Sequence, residues 1–309
     1  MSPQKYRLIT RSDFDGLVCA VLLNEIELID EIKFVHPKDM QDGKIDVGPH
    51  DITTNLPYVP GAYLAFDHHL SETIRNGKHR NHIIEVDAPS AARVVYNHYG
   101  AKHAFPRITD QMMEAVDKAD SAQYDRADIL DPNGWVLLNY LMDARTGLGR
   151  FRDFRISNYA LMMDLIDYCR DHTIDQILDL PDVQERVSLY FAHAEPAREQ
   201  IKRCATVHGN LVVLDLRGEE TIFATNRFMI YALFPQCNIS IHVMWGVQKQ
   251  NTVLACGKSI LDRGSKTNVG ELMLTYGGGG HLAAGTCQIA NDAADVTLGA
   301  LIKRITAHG

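Results

Sequence analysis

The sequence of 309 residues lacks a long apolar run, a patterned set of cysteines and an excess of basic charge. No uninterrupted apolar stretch approaches the roughly 20 residues that span a bilayer. The start, MSPQKYRLITRSDFDG, lacks the basic region, apolar run and cleavage site of a signal peptide. The six cysteines show no CxxC spacing, which argues against a disulfide framework or a zinc ribbon and fits a reducing compartment. We therefore expect a cytoplasmic protein without a membrane segment.

Charge is unevenly distributed along the chain, whose net charge is −8 with neutral histidine. Residues 1–204 carry 23 basic and 32 acidic side chains, whereas residues 205–309 carry 8 and 7. Ten of the 14 histidines also lie in the first part. This balance does not predict a long nucleic-acid groove, although a bound metal would let an acidic region accept a small anion. Acidic and imidazole side chains concentrated in one part of the chain indicate a metal site there.

Composition and pattern predict two folded domains. The chain is 46% hydrophobic and 23% charged, as in ordinary globular proteins, and it is about twice an average domain in length. Short apolar strands alternate with helices at first, then helices dominate, and strands, including TIFAT at 221–225, return from Asn210. We predict an α/β fold with a mostly parallel sheet flanked by helices and a helical connector in residues 1–195. A smaller α/β domain is predicted in residues 205–309, with a cleft between the two domains.

Polar side chains follow several predicted strands at their carboxyl ends, where α/β sheets bind ligands. They are Asp13 and Asp15 after the first strand, Asn55 after the third, and Asp67, His68 and His69 after the fourth. A later predicted helix adds Asp117 and Asp120, which can converge on the same edge. Mixed Asp and His ligands suit Mn²⁺ or Mg²⁺ better than structural zinc. Two such ions about 3.5–4 Å apart would clamp the attacking and leaving oxygens in phosphoryl transfer. Taken singly, these motifs are better explained as a helix cap and a surface turn, but their occurrence together favours a site.

A second signal is the GGGGH segment from Gly277 to His281, followed by LAAG. Glycines let a backbone turn tightly and present its N–H groups to an anion. His281 can add a hydrogen bond or a proton. A flexible loop is the alternative interpretation. Because the run ends a predicted helix and meets small residues, we favour a close approach of the backbone to a ligand.

The SDFDG, FDHH, ADS and GGGGH segments, in this order, resemble the DHH phosphoesterase superfamily, in the branch that carries a C-terminal DHH-associated domain. Within it, the chain looks most like exopolyphosphatase-related proteins and nano-RNases, which degrade short oligonucleotides and 3′-phosphoadenosine phosphate. The resemblance covers nearly the whole chain. It implies a two-domain phosphohydrolase with a di-manganese centre in the larger domain.

The resemblance also implies roles for the residues at matching positions. Asp13 and Asp15 would each bind one metal, His68 would be a ligand, Asp120 would complete the second metal, Asp67 would orient the site, and His69 would contact the scissile phosphate. The substrate phosphate would be held in the smaller domain by Gly278, Gly279, Gly280 and His281. Lys258, Ser259 and Arg263 lie where the associated domain usually presents a basic, phosphate-binding residue.

Two positions depart from the family pattern. The family usually has a histidine shortly before the paired aspartates, where this sequence has Ile9 and Arg11. It usually has an aspartate that bridges both metals where this sequence has Asn55. An asparagine can ligate through its carbonyl oxygen but brings no charge, so one of the two Mn²⁺ or Mg²⁺ ions is expected to be the weaker. Arg11 is instead a candidate for direct contact with phosphate through its planar fork.

These observations predict a metal-dependent phosphohydrolase that cleaves a phosphodiester or phosphoanhydride of a small substrate with a metal-activated water. Short oligonucleotides or nucleotide phosphates are the first expectation, and an exopolyphosphatase is the alternative. A non-catalytic nucleotide-binding regulatory protein with a degraded metal centre is an alternative of another class, motivated by Arg11 and Asn55. A homodimer is a common arrangement, but no pattern in the sequence indicates one.

Overall fold

The computed structural model describes residues 4–308, with the side chains of residues 70, 71 and 308 left aside. The described chain divides into two compact units. The first comprises residues 4–123, 133–144 and 148–187, and the second comprises residues 124–132, 145–147 and 188–308. Within residues 4–308, no helix has both the length and the apolar character needed to cross a membrane.

A sheet of five parallel strands forms the centre of the first unit. Its strands are β1 (Tyr6–Arg11), β2 (Ile29–Val35), β3 (Asp51–Thr54), β4 (Leu64–Asp67) and β5 (His82–Ile84). They lie in the order β2-β1-β3-β4-β5, and each neighbouring pair is parallel. All four residues of β3 are buried, as expected for a strand of a sheet that is covered on both faces. The prediction of a mostly parallel sheet flanked by helices is confirmed.

Helices pack around this sheet and continue into the second unit. Over residues 4–204 they are α1 (Phe14–Glu25), α2 (Pro37–Gln41), α3 (Leu70–Asn76), α4 (Ala91–His98), α5 (Asp110–Asp120), α6 (Arg126–Leu130), α7 (Gly134–Met142), α8 (Asn158–Asp171), α9 (Ile174–Leu178) and α10 (Pro181–Cys204). Helix α1 is buried from Phe14 to Leu23, because it contacts β1, α4, α5 and α8. This environment explains why its sequence is apolar on every side. Helix α10 runs through Pro196 without interruption.

The second unit contains a mixed sheet of six strands. They are β6 (Ala205–His208), β7 (Leu211–Asp215), β8 (Ile239–Trp245), β9 (Thr252–Lys258), β10 (Gly279–His281) and β11 (Ala284–Ile289), in the order β10-β11-β9-β8-β7-β6. The β7–β8 pair is parallel and the other pairs are antiparallel. Helices α11 (Met229–Leu233), α12 (Val269–Leu274) and α13 (Ala294–His308) complete the unit. Alternate residues of β8, such as Ile241 and Val243, form its core with residues of α12 and α13.

The strand predicted at 221–225 is not formed. Its backbone amides bond to groups outside any sheet: Phe223 N–H donates to Gln200 Oε1 at 3.1 Å and Ala224 N–H to His193 Nδ1 at 3.1 Å. Both acceptors belong to α10. The apolar, β-branched pattern was therefore overridden by side chains of a helix that satisfy the backbone in place of a neighbouring strand.

Candidate metal centre

The carboxyl ends of β1, β3 and β4 lie side by side at one edge of the parallel sheet. The strand order reverses between β1 and β3, since β2 lies on one side of β1 and β3 on the other. A reversal of this kind creates a crevice outside the carboxyl ends of the strands, which is where open α/β sheets bind ligands. Asp13 comes just after β1, Asn55 directly follows β3 and Asp67 ends β4. Three neighbouring strands thus deliver these three side chains to the switch point.

Asp13 joins β1 to α1 and caps the helix. Its Oδ1 accepts a hydrogen bond from the N–H of Gly16 at 3.0 Å, and its Oδ2 lies 2.8 Å from Nε of Arg11. A Cβ atom at Gly16 would lie only 1.9 Å from the carbonyl oxygen of Arg11. Glycine therefore allows the first turn of α1 to approach the end of β1 this closely, which explains the last residue of SDFDG.

Asp15 lies in the first turn of α1 and is 3% exposed. The start of α4 holds its carboxylate, with Ala91 N–H donating to Oδ2 at 3.0 Å and Ala92 N–H to Oδ1 at 2.8 Å. Burial, together with the negative charges of Asp120 and Asp13, raises the pKa of Asp15 well above its ordinary value. A cation next to these carboxylates would relieve that repulsion and favour the ionised form.

His68 and Asp120 complete this group. Nδ1 of His68 is 3.1 Å from the carbonyl oxygen of Ala88, which can only accept, so Nδ1 carries the proton of this contact. Nε2 lies 2.9 Å from Oδ2 of Asp120 without forming an aligned hydrogen bond. Burial alone would lower the pKa of His68, but the carboxylates of Asp120 and Asp15 raise it to about 9. Burial alone would raise the pKa of Asp120, but the nearby His68 outweighs it and lowers that pKa.

Asp67 fixes the loop that carries the two histidines. Its Oδ1 accepts from the N–H of His68 at 2.8 Å and from the N–H of His69 at 3.3 Å, and it lies 2.7 Å from Nδ1 of His69. Asp67 is 1% exposed, whereas the side chain of His69 is 44% exposed. A buried carboxylate thus orients an accessible imidazole.

The side chains at this edge fit a divalent cation. Ligand atoms of Asp15, His68 and Asp120 all lie within 4.8 Å of one another. Several buried polar atoms of the described residues have no hydrogen-bond partner, and three of them lie at this edge, namely Oδ1 of Asn55, Oδ2 of Asp67 and Nε2 of His68. Such atoms are costly to leave unsatisfied, and oxygen with imidazole nitrogen is the ligand set that Mn²⁺ and related ions accept. The donor set therefore fits a divalent metal ion.

Asp117, the other acidic candidate of α5, is engaged elsewhere. Its Oδ1 accepts from Ser90 Oγ at 2.7 Å and its Oδ2 from Nε of Arg93 at 2.9 Å. Ser90 is the N-cap of α4, so Asp117 anchors α5 to the start of α4. Sequence reasoning missed this start of α4 as the element that holds Asp15. Backbone amides carry no residue-type signal, and the capping serine was the one available hint.

The predicted phosphate-binding residues of the second unit lie at or near strand ends. Gly279, Gly280 and His281 form β10, an exposed strand at the edge of the sheet, and Gly278 directly precedes it. Lys258 ends β9, and its Nζ donates to the carbonyl oxygen of Ser265 at 3.0 Å. The buried Oγ of Ser259 accepts from the N–H groups of Leu261 and Asp262, each at 3.1 Å, whereas Arg263 is exposed. Their role in substrate binding stays a prediction.

Comparison with known proteins adds a close relative. Neither protein-family models nor curated proteins match the chain. Among solved structures, the chain is similar to a pGpG-specific phosphodiesterase, PggH, from Vibrio cholerae, with 65% sequence identity and a TM-score of 0.86 over 99% of this chain and 100% of that chain. Identity at this level over the full length of both chains shows common family membership. The chain belongs to the DHH superfamily of phosphoesterases.

RecJ from Thermus thermophilus shares the fold at much lower identity. Its structure with Mg²⁺ is 11% identical, with a TM-score of 0.54 over 99% of this chain and 50% of that chain. Its structure with Mn²⁺ is 12% identical, with a TM-score of 0.53 over 99% of this chain and 53% of that chain. The resemblance inferred from the four motifs is confirmed. As a DHH phosphoesterase, the protein is a hydrolase of phosphate esters.

Proposed function

We propose that the protein is a metal-dependent phosphodiesterase that hydrolyses the linear dinucleotide pGpG. The substrate is carried over from the relative named as a pGpG-specific phosphodiesterase, with which this chain shares 65% identity over 99% of its length. The geometry supports the metal dependence, because Asp15, His68 and Asp120 bring their ligand atoms within 4.8 Å of one another. This proposal selects one dinucleotide from the class of short oligonucleotides and nucleotide phosphates expected from the sequence.

Asp15, His68 and Asp120 would hold one Mn²⁺ or Mg²⁺ ion, and Asp13, Asn55 and Asp67 would face the position of a second. A divalent ion there supplies Lewis-acid chemistry, since it polarises a phosphoryl oxygen and lowers the pKa of water. The start of α4 keeps the carboxylate of Asp15 in place through two backbone hydrogen bonds. The carbonyl oxygen of Ala88 orients His68 in the same way. The ligands are therefore preorganised by backbone groups.

His69 is the proposed contact to the scissile phosphate. Its Nδ1 is bound to the buried Asp67, so its Nε2 is directed away from that carboxylate. The exposed imidazole can then donate a hydrogen bond to a phosphoryl oxygen as negative charge develops there. In the second unit, Gly278–Gly280, His281, Lys258, Ser259 and Arg263 remain the proposed phosphate contacts.

The test is a substrate panel with metal-stripped protein to which Mn²⁺ is returned. The panel contains pGpG, a second dinucleotide, 3′-phosphoadenosine phosphate, a cyclic dinucleotide and polyphosphate, and released products are measured together with bound metal. We expect hydrolysis of pGpG above all others, its loss in Asp15→Asn and its retention in Asp117→Asn. Release of phosphate from polyphosphate alone would favour an exopolyphosphatase. Nucleotide binding without any turnover would favour the regulatory protein.

A further inference from the structure

The two groups of candidate ligands are unequal in charge. Asp15 and Asp120 contribute two carboxylates around the imidazole of His68, and no arginine or lysine is hydrogen-bonded to either carboxylate among the contacts of the described residues. The second group contains Asp13, Asn55 and Asp67, and one of its two carboxylates, that of Asp13, is paired with the guanidinium of Arg11. Hard cations bind in proportion to the negative charge that surrounds them. The two positions are therefore not equivalent.

Asp13 is already neutralised by a neighbouring cation. Arg11, the last residue of β1, places Nε 2.8 Å from Oδ2 of Asp13. Oδ1 of the same carboxylate accepts from the N–H of Gly16 at 3.0 Å and lies 3.4 Å from Nδ2 of Asn55. Both oxygens of Asp13 therefore have donors. A divalent ion at this carboxylate would lie against the guanidinium and be repelled by it.

Asn55 adds an oxygen to this position but no charge. It is 2% exposed and directly follows β3 with a φ of 54°, a left-handed conformation that asparagine tolerates better than most residues. Its Oδ1 is buried without a partner, which leaves it as a neutral donor.

We propose that Arg11 replaces one of the two cations of the centre. One divalent ion binds tightly to Asp15, His68 and Asp120, while the guanidinium supplies the positive charge at Asp13, where its planar fork can also bind a phosphate of the substrate. This inference rests on the proposed metal-dependent function. It predicts that each chain binds a single Mn²⁺ ion when the Mn²⁺ concentration is just high enough to saturate the tight site.

The experiment is a titration of metal-stripped protein with Mn²⁺, in which electron paramagnetic resonance counts the free ion and detects spin coupling between bound ions. We expect one tight ion in the wild type and a second at least about tenfold weaker. Arg11→Gln should tighten the second ion at least about tenfold and produce a spin-coupled pair. Arg11→Lys, which retains the charge, should behave as the wild type.

Arg7→Gln is the matched control, because Arg7 lies on the same strand and binds Asp51 with Nε at 2.8 Å, yet at the opposite end of β1. It should leave the affinities for both ions unchanged.

Asn55→Asp is an independent variant in case Arg11→Gln does not fold, and it should also tighten binding of the second ion. Two equally tight, spin-coupled ions in the wild type would overturn this inference and leave the proposed function standing. Failure to bind any ion would overturn the proposed function itself.

Discussion

The two sheets of this protein present their candidate functional residues in opposite ways. At the carboxyl edge of the parallel sheet, Asp15, Asn55 and Asp67 are at most 3% exposed. Backbone N–H groups of α4 hold the carboxylate of Asp15, while Asn55 directly follows β3 and Asp67 ends β4. At the edge of the mixed sheet, Gly279 to His281 are exposed, and nearby side chains such as Lys258 and Ser259 bond to their own loops.

The difference separates two kinds of chemical work. Buried or half-buried carboxylates and a half-buried imidazole, each held by neighbouring groups, can impose one geometry on a small cation. An exposed strand of glycines imposes little, but its backbone is open to a ligand from solvent. We therefore expect changes in the first sheet to act on turnover and changes in the second to act on stability or substrate affinity.

The largest effect is expected from loss of a proposed metal ligand. Asp15→Asn and His68→Ala each change one of the three residues, Asp15, His68 and Asp120, whose ligand atoms lie within 4.8 Å of one another. Manganese-dependent turnover should fall by about 1000-fold in each variant. Asp117→Asn is the matched control on α5, because Asp117 binds Ser90 and Arg93. Turnover is measured at saturating Mn²⁺. Equal activity of Asp15→Asn and Asp117→Asn would contradict the assignment of Asp15 as a metal ligand and of Asp117 as a structural residue.

The second expected effect is acid sensitivity of the mixed sheet. Burial lowers the pKa of His242 on β8 to about 4, whereas the unfolded chain titrates near 6.5. As the pH falls from 6.5 to 4, the unfolded state takes up a proton that the folded state refuses. The free energy of unfolding of this unit should therefore fall, by up to about 3 kcal/mol. Urea unfolding of wild type and His242→Leu at pH 7 and pH 4 measures this, and the variant should show a weaker dependence on pH.

A smaller effect on stability is expected at the glycine segment. A Cβ at Gly278 would lie 2.2 Å from the carbonyl oxygen of Thr286 and 2.6 Å from Cβ of Cys287, whereas a Cβ at Gly279 meets nothing within 4 Å. Gly278→Ala should lower the free energy of unfolding by about 2 kcal/mol, and Gly279→Ala should change it little. Chemical denaturation distinguishes the pair. Similar losses in both variants would mean that general backbone flexibility, rather than close packing, accounts for the glycines.

The smallest expected effect concerns the exposed histidine of the second unit. His281→Ala should raise the KM for pGpG about tenfold with kcat nearly unchanged, since a contact to a remote phosphate contributes equally to the bound substrate and the transition state. Steady-state kinetics with Mn²⁺ provides both constants. A fall in kcat with an unchanged KM would instead assign His281 to the chemical step.

Much of this architecture was readable from the sequence. Apolar strands that alternate with helices predicted the parallel sheet, and Asn55 was predicted to follow its third strand, as it does. The order of SDFDG, FDHH, ADS and GGGGH predicted the superfamily. The segment at 221–225 shows where such reasoning fails, because its pattern predicts a strand but side chains of α10 capture its amides. Local propensity cannot anticipate a partner that is distant in the chain.

The sequence by itself determined the residue types of the metal centre, since carboxylates and imidazoles at strand ends are a chemical signal that survives without coordinates. Tertiary structure alone decided which groups contact and orient these side chains. It placed the start of α4 against Asp15 and the carbonyl oxygen of Ala88 against His68. Both contacts involve backbone groups, which every residue possesses, and they join segments 20 to 77 residues apart. Long-range backbone contacts arise from packing of whole elements, so no motif records them.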